Sequence, residues 1–104
     1  NRLRGQLDAA LDAYTESLAL ARRIRDHYGE TPESLRDLSV SLNNVARINE
    51  LRGQLDAALD AYVEAVAWYE QLDATYGPPY TQPEELTDLR ASADRVRARL
   101  GAGG

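Results

Sequence analysis

The sequence predicts an all-α protein of four helices, arranged as antiparallel helical hairpins that stack side by side as a fragment of a solenoid. Three observations carry this expectation. The segment LRGQLDAALDAY, Leu3 to Tyr14, recurs without a change at Leu51 to Tyr62, and a helical unit that cannot bury its apolar face alone must stack on copies of itself. Ala, Leu, Arg, Asp and Glu dominate while Phe, Met, Cys and Lys are absent, a balance that favours helix over strand. Apolar residues then fall at spacings of three and four, the stripe of an amphipathic helix.

The first helix is expected over 6–28, from the stripe Leu7, Ala10, Leu11, Tyr14, Leu18, Ala21, Ile24 and Tyr28. Gly29 supplies a C-terminal signal, and Thr31 followed by Pro32 reads as an N-cap and first turn. The second helix is expected over 33–51 on Leu35, Leu38, Leu42, Val45 and Ile48, ending where Arg52 and Gly53 break the run. One repeat later, Leu55, Ala58, Leu59, Tyr62, Val66, Tyr69, Leu72 and Tyr76 rebuild the first stripe and predict a third helix over 54–76, closed by Gly77. The next loop, GPPYTQP, is longer than its counterpart, after which Leu86, Leu89, Ala93 and Val96 match the second helix and predict a fourth over 84–100. Residues 101–104, nearly all glycine, are expected to form a flexible tail.

At 104 residues the chain can bury roughly 65% of its unfolded surface, enough for one domain over 1–100. A net charge of −5 with no basic stripe excludes a dedicated nucleic-acid binder. No apolar run reaches the roughly 20 residues that cross a bilayer, so a soluble, cytoplasmic protein is expected. The absence of methionine means that Asn1 is not an encoded start, so a preceding segment is expected. Asn1 also aligns with Asn49, so the first helix is the second member of a hairpin. Its face should be exposed where a preceding helix would lie, and self-association through that end of the array is expected.

Catalysis finds no support. His27 is the one histidine and there is no cysteine, which leaves no metal set or thiol nucleophile. The pairs Asp8 with Asp12 and Asp56 with Asp60 lie in the first turns of helices, where carboxylates favour the dipole. Neither an enzyme nor a cofactor is expected. Arg22, Arg23, Arg25 and His27 cluster at the end of the first helix, suited to the negative end of its dipole. Their counterparts are Glu70, Gln71, Asp73 and Thr75, so they read either as a solvated face or as attraction between repeats or between molecules. Tyr14, Tyr28, Tyr62, Tyr69 and Tyr76 fall on the packing stripe, whereas Trp68 and Tyr80 lie off it.

Gly53, Ala58, Tyr62 and Ala65, and before them Gly5, Ala10, Tyr14 and Ser17, follow one spacing: a turn glycine, an alanine five later, an aromatic four beyond, a small residue three further. This resembles the tetratricopeptide repeat, with Leu42, Val45 and Ala46 at the corresponding positions of the other helix and Asn49 where the family usually has an aromatic. The step from Leu3 to Leu51 exceeds the family's usual repeat of about 34 residues, so each helix should be a turn or two longer. Long-helix variants in bacterial multi-repeat proteins carry segments similar to RDLSVSLNNVARINELRGQLDAALDAY, and the arginine-only, alanine-rich composition is compatible with a GC-rich bacterial genome. The resemblance implies a right-handed solenoid whose first-type helices line a concave groove. It places Ser39, Asn43, Arg47 and Glu50 on the groove face, and their spacing of four, four and three puts them on one stripe. Asn can bond a peptide backbone and Arg a carboxylate; a solvated polar face is the plainer reading.

In the fourth helix Asp94, Arg97 and Ala98 replace Asn43, Ala46 and Arg47, as a polar cap on a terminal repeat would require. Arg90, Arg95, Arg97 and Arg99 could instead form a basic patch for an acidic ligand. The function expected is a protein–protein interaction scaffold that takes a peptide or protein partner in the groove. The alternative is a structural segment acting by homotypic repeat stacking or as an interdomain spacer.

Overall fold

The computed structural model describes residues 2–103, which form four α-helices and no strand: α1 (Arg2–Tyr28), α2 (Pro32–Leu51), α3 (Leu55–Thr75) and α4 (Pro83–Gly103). No helix among them is long and apolar enough to cross a membrane.

The turns follow from local chemistry. Gly29 ends α1 at φ +88°, a conformation that costs a residue with a Cβ. Two residues on, the Thr31 side chain accepts the Ser34 backbone N–H at 3.1 Å, capping α2, whose first residue is Pro32. At the other end of α2, Gly53 sits at φ +80°. There the Gln54 N–H reaches the Asn49 carbonyl at 2.8 Å and the Gly53 N–H reaches Glu50 at 3.1 Å, the paired bonds of a Schellman cap. Each short turn sends the chain back along the helix it has just left.

α2 packs against both α1 and α3, and α3 carries α4. The side-chain contacts give the directions. Arg36 meets Glu85 and Glu50 meets Arg95 at separations of 49 and 45 residues, so α2 and α4 run parallel. Arg22 meets Glu64 and Glu30 meets Tyr76 at 42 and 46 residues, so α1 and α3 do likewise. At the centre, Leu42, Ala46, Ala58, Tyr62, Ala65, Tyr69, Leu89, Ala93 and Val96 form one buried cluster. Ala46, Ala58 and Ala65 are completely buried, so their single methyls let α2 and α3 approach closely. Tyr62 and Tyr69 fill the space left at the α3 ridge.

Several expectations need correction. α1 begins at Arg2 rather than at 6, because Gly5 stays helical and carries no positive φ; no earlier helix among the described residues requires the chain to double back there. α4 runs through Gly103 rather than stopping at 100, since each added residue of a seated helix gains a backbone bond without needing a side chain. Residues 101–103 are therefore helical, and Gly104 lies outside the described residues. The α2 and α3 boundaries fall within one residue of those expected. Of the stripe tyrosines, Tyr62 and Tyr69 are buried, but Tyr28 is 70% and Tyr76 39% exposed, because Tyr28 is the last residue of α1 and Tyr76 lies just past the end of α3.

Candidate functional site

Both α2 and α4 are seated on α3, and they scarcely touch each other. The space between them is an open groove of ≈ 300 Å³, lined from α2 by Arg36, Ser39, Val40, Asn43 and Arg47 and from α4 by Glu85, Asp88, Leu89 and Ser92, with Tyr69 of α3 beneath. Three of the four residues expected on the groove face thus border this space. The fourth, Glu50, borders its continuation beyond Arg47 and Ser92, beside Arg95 and Arg99.

Side-chain networks bridge the groove at its two ends. At the first, Arg36 makes a forked pair with Glu85 at 3.2 and 2.9 Å and also donates to the Tyr80 carbonyl at 3.0 Å. The Tyr69 hydroxyl donates to Glu85 at 2.7 Å and accepts the Gln82 backbone N–H at 2.7 Å. The extra length of the 77–82 loop has a use here: it carries Tyr80 and Gln82 over Tyr69 and Arg36. The Arg36 guanidinium holds the Glu85 carboxyl below its usual range, and burial, reinforced by Glu85, pushes the Tyr69 phenol up.

At the second end Glu50 is the hub. It accepts from Arg95 at 2.9 and 2.7 Å, from Arg99 at 3.5 Å and from the Tyr62 hydroxyl at 2.9 Å. The Arg95 bond lowers the Glu50 pKa, with Tyr62 and Arg99 adding to it. Burial first, then the Glu50 carboxylate, pushes Tyr62 up to about 12. This network removes the basic-patch alternative, since each arginine of the proposed patch has an acidic partner. Arg95 and Arg99 pair with Glu50, Arg90 with Glu70 and Arg97 with Asp94.

Between the ends the polar groups divide into committed and uncommitted. Ser39 is buried and its hydroxyl donates to the Ala65 carbonyl at 3.3 Å, so it serves the α2–α3 contact. Glu50 serves the network just described. Asn43 is half-buried and its side chain has no hydrogen bond among the described residues, and the Asp88 side chain is exposed and equally unengaged. Arg47 is exposed, with one long 3.4 Å contact to Asn44. The groove therefore offers an amide, a guanidinium and a carboxylate in its middle, over an apolar margin from Val40 and Leu89.

Sequence reasoning missed Arg36, Glu85 and Asp88. A usable signal was present: parallel helices one repeat apart bring residues some 45 to 49 positions apart into contact, and opposite charges recur at that separation. No protein-family model matches the chain, and neither a curated protein nor a solved structure matches it.

Proposed function

We propose that this chain is a protein–protein interaction scaffold, built as a tetratricopeptide-like solenoid fragment, which takes a segment of a partner protein in the groove between α2 and α4. The observation that carries the reading is the middle of that groove, where the Asn43 and Asp88 side chains stand unengaged and Arg47 keeps only its long contact to Asn44, between two ends closed by ion pairs. The parallel pairs α1 with α3 and α2 with α4, each offset by about one repeat, support the solenoid. Arg36 and Glu50 lie about 21 Å apart along α2 at a rise of about 1.5 Å per residue, which accommodates roughly six residues of extended peptide. Asn43 suits the peptide backbone, Arg47 an acidic side chain and Asp88 a basic one.

Selection of a displayed random-peptide library on the full chain tests this. The enriched peptides should carry both charges, and the Asn43→Ala, Arg47→Ala double variant should weaken their binding by roughly tenfold or more in calorimetry. No enrichment, or peptides that bind the double variant as tightly as the parent, would overturn it. The second reading, a structural segment acting by homotypic contact, is favoured by one observation, the bare outer face of α1.

A further inference from the structure

α1 is amphipathic along its length, yet Ala21 is its one buried residue. The other half of the chain shows what kind of object covers such a face. In α3, Ala58, Ala61, Tyr62 and Ala65 are all buried in the core shared with α2. Their repeat equivalents in α1 are Ala10, Ala13, Tyr14 and Ser17; Ala10 and Tyr14 are half-buried, and Ala13 and Ser17 are exposed. Three of these pairs stand in identical dodecapeptides, so the difference lies in the neighbour and not in the local sequence. The bare surface continues through Leu20, 55% exposed, and Ile24 to Val40 of α2, 47% exposed, around a shallow groove of ≈ 220 Å³. An antiparallel helix occupies the corresponding surface of α3.

Charge identifies the helix that fits. Asp12, Glu16, Arg23 and His27 follow one flank of this face; all four are exposed, and none of their side chains makes a hydrogen bond or ion pair among the described residues. Their neighbours Arg22 and Arg25 are already engaged, with Glu64 and with Asp26. Asp12 and Glu16 are one turn apart, as are Arg23 and His27, and the acidic and basic couples are placed symmetrically about the peptide joining Ala19 to Leu20. Two α1 helices laid antiparallel across a two-fold axis at that point bring Glu16 of each opposite Arg23 of the other, and Asp12 opposite His27. The flank is complementary to itself in one orientation.

We propose that this face is a self-association surface and that the chain forms a two-fold dimer through antiparallel α1 helices, with Ser17 and Leu20 near the centre of the contact and Ala13 towards its ends. The opposite end of the molecule does not offer an equal alternative. There Arg97 of α4 holds the position of the fully buried Ala46 of α2, and head-to-tail stacking of α4 onto α1 would bury its guanidinium side chain, now 58% exposed, at a high desolvation cost. Association therefore closes at two copies. The inference goes beyond the groove reading, with which it shares Val40 alone.

Sedimentation velocity on the full chain over a concentration series is the test. A monomer–dimer equilibrium is expected. Glu16→Arg and Arg23→Glu should each raise the dissociation constant roughly tenfold, since each removes two symmetry-related pairs. The Glu16→Arg, Arg23→Glu double variant should return within about threefold of the parent, because the pair is re-formed with its signs exchanged. Ser17→Arg should leave monomer alone, and Val63→Arg, in the α3–α4 groove, should change nothing. Circular dichroism should show full helix content in every variant. A parent that is monomeric at all concentrations up to about 1 mM, a double variant no better than the single ones, or a dimer that survives Ser17→Arg and is lost in Val63→Arg would each overturn the proposal.

Discussion

Tyr14 and Tyr62 hold the same place in identical dodecapeptides, so truncating each to alanine removes the same atoms from the same local sequence and isolates the effect of the surroundings. Tyr62 is completely buried, and its hydroxyl donates to Glu50 at 2.9 Å. A buried aromatic side chain removes roughly 150–250 Å² from water, which is about 4–6 kcal/mol at about 25 cal/mol per Å² and an upper bound for a real unfolded chain. Aromatic truncations in cores cost about 3–5 kcal/mol, so Tyr62→Ala is expected to cost about 4 kcal/mol. That is a large share of the roughly 5–15 kcal/mol that holds a typical domain together. Tyr14 is half-buried and its hydroxyl has no partner among the described residues; Tyr14→Ala should cost only about 1–2 kcal/mol. Urea unfolding followed by helical circular dichroism, at a concentration low enough to keep the chain monomeric, gives both values from the shift in midpoint. Equal costs would mean that α1 is covered as α3 is, and the reasoning from unequal burial would fail.

A second matched pair tests the turns: Gly53→Ala, at φ +80°, should destabilise by about 1–2 kcal/mol. Gly5→Ala, in open helical surroundings, should stabilise by about 0.5–1 kcal/mol; two effects of the same sign in urea unfolding would refute the different roles of the two copies. The carboxyls of Glu50, Glu64 and Glu85 are each held below the ordinary 4.5 by Arg95, Arg22 and Arg36 respectively. Their contribution is full above that value and is lost as pH falls through the lower folded values. Tyr62, raised to about 12 from 10.0, contributes fully below its unfolded value and loses that contribution as pH rises towards its folded one. Thermal melts should therefore fall off on both sides of neutral pH, with a shallower acid limb in Glu50→Gln and a shallower alkaline limb in Tyr62→Phe; limbs unchanged by these variants would count against the networks.

The helices were legible because their cause is local. The 3.6-residue stripe, the Thr31 cap with Pro32 behind it and Gly53 at the Schellman turn each act within a few residues, and α2 and α3 lie within one residue of where those signals put them. Gly5 shows where local reading ends, for the dodecapeptide that opens with a turn in one copy lies wholly within a helix in the other. The groove was half legible. Asn43 and Arg47 follow from their place on α2, but whether Ser39 faces a ligand or the Ala65 carbonyl depends on how closely α3 approaches. Glu50 could be placed on the stripe, yet its engagement depends on Arg95 and Arg99, which a different helix brings across from far along the chain.

The two networks flanking the groove raise the question of what sets its width. Exposed ion pairs contribute about 0–1 kcal/mol each, and Arg36, Arg95 and Arg99 all keep about half of their side-chain surface in water, so these pairs cannot be what seats α4. That task falls to Leu89, Ala93 and Val96, all buried in the cluster with Tyr62 and Tyr69. The spacing of α2 and α4 is thus set by the breadth of the α3 ridge they share, and the ion pairs act on what lies above it. They occupy the groove's ends with satisfied charge and leave its middle polar groups to water. A partner segment that displaced only that water would meet Asn43, Arg47 and Asp88 without first breaking any bond the fold depends on. A groove closed by direct α2–α4 packing could not accept a ligand at so small a cost, because apolar contacts within the fold would have to be broken first.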